Sequence, residues 1–308
     1  MMSRPQVSVV MSVFNGSDSL LDSVESVLSQ EGVDLEFIVI DDGSTDASAS
    51  MLDGFAAADP RIRFLHQTNQ GLTRALIRGC ALARGKYIAR QDCGDRSLPG
   101  RLRAEVEAME SCPGTALVSC GTRVVGPQGE PLYDVVPTEA EASVGLKTLN
   151  LGRLRGPAHH GCTLFPRDLY ERVGGYREQF YFAQDLDLWT RMVEHGRHIA
   201  IPSLLYHAAF TLGSISALQR KRQIECAKLI LECSRLRGEG RDDARVASRA
   251  RQIVPDGGKA AHGDLASALY FVGACLSKRG DPRSRRYYRE ALRANPLHFK
   301  SAIRLLLG

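Results

Sequence analysis

Residues 36–48 read EFIVIDDGSTDAS. Phe37–Ile40 is a continuous apolar run, the pattern of a strand buried on both faces of a parallel sheet. It stops at Asp41-Asp42-Gly43-Ser44-Thr45-Asp46, a cluster of acids and turn formers, and a short helical segment follows. The same order recurs on either side. Upstream, Val7–Val13 is a second apolar run and Asn15-Gly16-Ser17 a turn. Leu20, Leu21, Val24, Val27 and Leu28 then recur at helical spacing, with Ser17 or Asp18 available as N-cap. Downstream, Ile62–Leu65 reads as a strand, Leu72–Ala83 as a helix, and Tyr87–Ala89 as a strand that runs into Asp92-Cys93-Gly94-Asp95. Strands alternating with helices across short connections predict an open, mainly parallel α/β sheet. Such sheets bind ligands at the C-terminal ends of their strands. Both acidic turns lie at those ends, so they can converge on one crevice.

Further along, Pro99–Glu110 reads as a helix with proline in its first turn. Ala116–Val125 reads as a strand and Gly126-Pro127-Gln128-Gly129 as a hairpin turn. Glu139–Leu149 has a helical pattern, and the basic stretch Gly152–Gly156 is a flexible connection. His159–Phe165 returns to strand, Asp185–Glu194 is helical, and Ile199–Ile201 is a last strand. After Ser216 the pattern is helical, with Gln219–Leu236 and Asp264–Arg279 separated by a loop around Pro255–Gly258. These readings divide the chain into an α/β domain, 1–216, and a basic helical extension, 217–308.

The 308 residues are 44% hydrophobic and 24% charged, the composition of a globular protein. No apolar run approaches the roughly 18 residues of a transmembrane helix, and the N-terminus has no clear signal-peptide cleavage site. The eight cysteines show no metal-type CxxC pair. They read as reduced core thiols, so a cytoplasmic location is expected. The net charge of +5 is unevenly spread: residues 217–308 hold 20 Lys and Arg against 9 Asp and Glu. Such a tail can face an anionic surface such as the inner face of a membrane, or be a solvated helical face with arginines lying over apolar surface. It lacks the interleaved aromatics of a nucleic-acid module, so no nucleic-acid partner is expected.

Taken alone, DDGSTD is as readily structural as functional, and ARQDCGD is weaker still, since acids in exposed turns are usually just solvated. Their order is more informative. VSVVMSVFNGSDSLLDSVESVLSQ, EFIVIDDGSTDAS, DPRIRFLHQTNQGLTRAL, ARGKYIARQDCGDRSLPGRL and GGYREQFYFAQDLDLWTRM, in that sequence, resemble the family 2 glycosyltransferases. The likeness spans residues 5 to about 216. It implies an inverting enzyme of the GT-A nucleotide-sugar-binding fold. By that likeness Val13, Phe14 and Asn15 line the nucleotide site, Asp42 or Asp41 contacts the base, and Asp92 opens the acidic motif at the sugar diphosphate. Asp185 stands where the family has its catalytic base. Read without the likeness, it would be an N-cap of the following helix. His159 and His160 precede Gly161, where the family often has a His-Gly pair near the acceptor, so His160 is placed on the acceptor side, although a surface or core histidine is as readily expected for either. Trp189 follows on the helix of Asp185 and reads as packing more readily than chemistry.

The resemblance also implies a divalent cation, Mg²⁺ or Mn²⁺, which offsets charge on the leaving nucleotide. Three positions depart from the pattern. Gly94 stands in place of the usual metal-binding acid of Asp-x-Asp-Asp, and Ile77 in place of a common Asn. Aligned on Ser214-Ile215-Ser216, Thr211 replaces a common His, with His207 four residues early. Asp92 and Asp95 remain as metal ligands, Asp95 swinging inward because glycine lets the loop turn. A weak or nucleotide-dependent metal site is expected. The alternative is a metal-free site in which Arg153 or Arg155 offsets the charge. The partners expected are UDP or another nucleotide sugar and a glycan or lipid-linked acceptor. The rival reading is a non-catalytic scaffold that kept the fold and lost the metal. In the tail, Phe271-Val272-Gly273, Gly280-Asp281, Tyr288, Ala291-Leu292 and Asn295-Pro296 resemble one tetratricopeptide hairpin. A lone repeat cannot bury its own core, so it packs on the α/β domain, on a second subunit as in a homodimer, or against a partner helix.

Overall fold

Val7–Val13 (β1) and Leu35–Asp41 (β2) run side by side and parallel, with Val7 opposite Leu35 and Val13 opposite Asp41. Ile62–His66 (β3) extends the sheet beyond β2, and Tyr87–Arg90 (β4) lies on the other side of β1, both parallel. In this computed structural model, which describes residues 4–212, 219–255 and 262–307, the remaining strands are Arg96–Ser97 (β5), Thr115–Val125 (β6), Pro131–Val135 (β7), Thr163–Pro166 (β8) and Arg197–Ala209 (β9). The order is β3-β2-β1-β4-β8-β6-β9-β5, with β7 paired to β6. The sheet is thus parallel over its first four strands and mixed beyond them. β8 inserts antiparallel between β4 and β6, while β6 and β9 are parallel.

Alternation along β1 builds a layer on each face. Val7, Val9, Met11 and Val13 pack with Leu20, Val24 and Val27 of Ser17–Leu28 (α1) and Leu102 and Val106 of Arg101–Ser111 (α4). Val10 packs the other way, with Ile38 and Ile40, Leu76 of Leu72–Ala81 (α3), and Leu188 and Met192 of Gln184–Met192 (α7). Ser48–Ala58 (α2), Glu139–Gly145 (α5) and Arg167–Arg172 (α6) complete the α/β part.

Several boundaries differ from the sequence reading. Gly16, not Ser17 or Asp18, is the N-cap of α1, and Asp46 from the next loop accepts from Ser17 N–H instead. Pro99 precedes the cap of α4, and α5 ends four residues before Leu149. His159 is extended, and a 3₁₀ turn at His160–Cys162 precedes β8. β9 runs 13 residues, far past Ile201, because Leu205–Ala209 alternates buried and half-buried instead of forming an apolar run.

The extension comprises Arg220–Gly238 (α8), Ala244–Ser248 (α9), His262–Lys278 (α10), Ser284–Ala294 (α11) and Phe299–Leu307 (α12). It is docked twice. Leu229, Ile230 and Cys233 of α8 cluster with Phe180. Leu269, Val272 and Leu276 of α10 and Tyr287 and Ala291 of α11 cover Leu132 of β7. The expected boundary near residue 217, the Ser214-Ile215-Ser216 motif and the loop residues 256–258 lie outside the described residues. No helix among the described residues is long and apolar enough to cross a membrane.

Candidate active site

The turn after β4 is pinned from both sides. Gly94 has φ +96°, a conformation that side chains other than glycine rarely adopt. Its N–H donates to Ser23 Oγ at 2.8 Å, and Ser23 Oγ donates to Asp95 O at 2.9 Å, tying the turn to α1. Asp95 consequently points inward and is 4% exposed. Its Oδ1 accepts from Ala209 N–H at 2.8 Å and its Oδ2 from Tyr206 Oη at 2.9 Å. Tyr206 Oη also accepts from Asp92 N–H at 3.2 Å. Gly161 leaves the room this hydroxyl occupies, because a Cβ there would collide with it.

Asp92 is set by Arg90, whose side chain is fully buried at the end of β4. The Arg90 Nη1 donates to Val10 O and its Nη2 to Asp92 Oδ1 at 2.7 Å. A second buried arginine, Arg101, donates to Arg90 O at 2.9 Å and lies over the Tyr206 ring. Burial alone would raise the Asp92 pKa, but the Arg90 charge, with His159, holds it below the usual carboxylate range. Asp95 goes the other way: burial, reinforced by Asp92 and opposed by His159, pushes it up to about 6.

The third member is His159. Its Nδ1 lies 3.2 Å from Asp95 Oδ2 and 3.7 Å from Asp92 Oδ2. Burial would lower its pKa, but the two carboxylates raise it. Ligand atoms of Asp92, Asp95 and His159 all fall within 4.8 Å of one another. Two hard oxygens and one imidazole nitrogen at that spacing fit Mg²⁺ or Mn²⁺. Of the His159-His160 pair the sequence reading assigns a role only to His160, the one directly before Gly161, and none to His159. The structure separates them. His160 is 7% exposed, and its Nε2 accepts from Tyr176 Oη at 2.7 Å and Arg90 Nε at 3.3 Å. Burial and Arg90 push its pKa down to about 3, keeping the ring neutral. His207 sits in β9 opposite Arg96, apart from the cluster, and Thr211 is exposed.

Asp185 is the second residue of α7 and accepts from Leu186 N–H at 2.8 Å. The N-cap itself is Ala183, held at φ +55°. A positive φ at a residue with a Cβ is strained, and such strain clusters at functional sites. The neighbouring acid Asp187 is consumed by structure. It is fully buried, takes Arg191 Nη2 at 2.7 Å, and pairs with Arg177, which also reaches Asp243 of the extension at 2.9 Å. Asp185 instead lines a cavity of about 510 Å³ together with Asp92, His159, His160, Tyr181 and Trp189. Burial, with a contribution from Asp92, raises its pKa. Trp189 is 5% exposed and packs edge-on to His160, and its indole N–H has no partner among the described residues. α8 closes one wall with Arg220, Gln223, Ile224 and Ala227, a contribution that nothing in the sequence patterning announced.

The loops after β1 and β2 are laced together. Thr45 N–H donates to Asn15 Oδ1 at 2.7 Å, Asn15 N–H to Ser44 Oγ at 3.0 Å, and Asp42 N–H to Val13 O at 2.8 Å. Asn15 takes φ +51°, and Phe14 beside it is 53% exposed. Asp41 and Asp42 are both buried. Asp41 accepts from Ser44 N–H and contacts His66 Nδ1 at 2.9 Å. Asp42 accepts from Gln67 Nε2, Gln70 N–H and Gly71 N–H, which organises the β3–α3 loop. Ile77 packs partly buried on the core. Arg153 and Arg155 are exposed on the loop that leads into the cavity-lining Pro157 and Ala158.

Comparison with known proteins agrees with this architecture. The family model for glycosyl transferase family 2 matches residues 8–174. EpsE of Bacillus subtilis is 33% identical over 200 residues, covering 64% of this chain and 69% of EpsE. The succinoglycan biosynthesis protein ExoO of Rhizobium meliloti is 37% identical over 108 residues, 35% of this chain and 30% of ExoO. Among solved structures, the mannosyltransferase PcManGT of Pyrobaculum calidifontis, in complex with GDP-Man and Mn²⁺, superposes with a TM-score of 0.56 at 17% identity, covering 99% of this chain and 88% of that one. The chain is therefore a member of glycosyl transferase family 2, built on the GT-A fold with a helical C-terminal extension.

Proposed function

We propose that this glycosyltransferase moves a sugar from a nucleotide-sugar donor to a hydroxyl acceptor with inversion at the anomeric carbon, Asp185 acting as general base. The observation that carries the reading is that Asp185, Asp92 and His159 line one cavity, with Asp95 beside the latter two. The acceptor hydroxyl loses a proton as it attacks, and a carboxylate within hydrogen-bond reach can take it. Burial that raises the Asp185 pKa brings this base closer to the working pH, where it is more effective. One displacement from the face opposite the leaving group inverts the centre and needs no covalent intermediate. Mg²⁺ or Mn²⁺, held by Asp92, Asp95 and His159, would offset charge on the leaving diphosphate. Arg90 keeps Asp92 ionised for that purpose. Val13, Phe14, Asn15, Asp41 and Asp42 are assigned to the nucleotide side, with Asp41 and Asp42 acting chiefly through the loops they organise. His160 and Trp189 are assigned to the acceptor side, His160 as a neutral group that positions Arg90.

The losses at Gly94 and Thr211 argued for a scaffold. The approach of Asp95 and His159 to Asp92 supports the enzyme instead. We assign a glycan or lipid-linked acceptor, and the similarity to ExoO, named for succinoglycan biosynthesis, supports the glycan. The test is donor hydrolysis and transfer against a panel of UDP- and GDP-sugars with Mn²⁺. Turnover of one donor supports the reading, and none across the panel contradicts it.

A further inference from the structure

α12 presents its apolar side to solvent. Phe299 is 73% exposed, Ile303 52% and Leu306 85%, and Leu297 just ahead of the helix is 73% exposed. Positions 299, 303 and 306 share one helical face. The opposite side holds the helix in place, with Ser301 fully buried. Exposed Lys300 and Arg304 flank the apolar face. On the preceding α11, Arg285, Arg289 and Arg293 are exposed and spaced four apart, which aligns them in one stripe. Their neighbours Arg283 and Arg286 pair with Asp281 and Glu290, but among the described residues the stripe itself meets no acid. Four exposed large aliphatic and aromatic side chains at α12 and a stripe of exposed cations on α11, the helix packed against it, are the two components of an interfacial membrane contact.

We propose that the corner formed by α11 and α12 docks the protein on an anionic lipid surface, with Leu297, Phe299, Ile303 and Leu306 entering the headgroup boundary and Arg285, Arg289, Arg293, Lys300 and Arg304 meeting the lipid charges. The charge pattern selects this occupant. A two-fold contact with a second copy would set the same face against itself, bringing Arg285, Arg289, Arg293, Lys300 and Arg304 against the same five cations, since Arg283 and Arg286 are already paired with Asp281 and Glu290. Lipid phosphates invert that repulsion. None of these residues lines the catalytic cavity, so the docking surface and the reaction are tested separately.

The experiment is sedimentation of the full chain with vesicles of phosphatidylcholine alone or with about a third phosphatidylglycerol. Binding is expected to the anionic vesicles and to fall with salt, as a screened charge interaction must. Replacing the three stripe arginines with Gln is expected to lower partitioning about fivefold per residue at low salt. Phe299→Ser with Leu306→Ser is expected to lower it about tenfold per residue at every salt concentration, since apolar burial is not screened. All these side chains are exposed, so melting temperature and donor hydrolysis in solution serve as folding controls and should be unchanged. Failure to bind anionic vesicles overturns the proposal, as does binding unaffected by the Phe299/Leu306 pair. Concentration-dependent dimerisation by ultracentrifugation that is lost in that pair overturns it in favour of a second copy.

Discussion

Asp185 and Asp187 stand two residues apart and have opposite fates. Asp187 is neutralised by two arginines and joins α7 to the extension, whereas Asp185 faces the cavity. Asp185→Asn should therefore lower turnover by about 10²–10⁴, the usual contribution of a general base, while nucleoside diphosphate affinity stays near wild type, because the base acts in the transition state and not in donor binding. Calorimetry and initial rates on the same sample check both parts. Asp92, Asp95 and His159 should hold Mn²⁺ weakly alone and more tightly once a nucleoside diphosphate adds its oxygens. His159→Ala should weaken Mn²⁺ binding at least about tenfold, since even outer-shell partners contribute that much. No coupling between metal and nucleotide, with full activity in a chelator, would favour Arg153 or Arg155 as the counter-charge instead. At this scale the acids were legible because residue type and order carry the signal. The choice of His159 over His160 was not, since it depends on an extended residue followed by a 3₁₀ turn that aims one ring at the acids and buries the other.

β2 carries an anchor that its apolar run conceals. Glu36 is 3% exposed, yet it accepts from Ser8 Oγ and Arg84 N–H at 2.7 Å each and from Arg63 at 2.9 Å, linking β1, β2, β3 and the entry to β4. Burial would raise its pKa, but these donors together hold it below the usual 4.5. A carboxyl depressed in the folded state adds stability above its unfolded value and loses it as pH falls through the folded one. Glu36→Gln should cost about 1–3 kcal/mol at neutral pH, the range for leaving buried donors poorly matched. The gap from wild type should shrink as pH drops below 4.5. Denaturant melts at several pH values measure this, and a constant gap would contradict it. The parallel strands were readable because both faces are buried and the runs are continuous. Of β9 only Ile199–Ile201 was readable, because the rest of its length alternates and Tyr206 and Ala208, its buried residues there, give no run to detect.

Across the whole molecule, the extension behaves as part of the catalytic unit in its contacts. α8 walls the cavity, its Ile230 is fully buried with Phe180, and Arg177 joins Asp187 to Asp243. The division into 1–216 and 217–308 thus describes composition, and we expect one cooperative unfolding transition. Ile230→Ala should lower stability by about 2–5 kcal/mol, as core truncations do, and shift that single transition. Two separate transitions, with only one of them moved, would mark an independent extension. Charge balance alone gave the extension's basic character. That the lone helical hairpin must pack on something, the α/β domain among the choices, followed from its size, and α10 and α11 do cover Leu132 of β7. Which residues receive them, and that Phe180 receives α8, was not legible, since these contacts join residues far apart in the chain. The most direct test of the catalytic reading uses the full chain, Mn²⁺ and an α-configured nucleotide sugar that it turns over, with proton NMR following the first sugar released to water before the anomers equilibrate. We expect the β anomer first, and its release about 10²–10⁴ slower from Asp185→Asn. Initial release of the α anomer would contradict displacement in a single step with Asp185 as base.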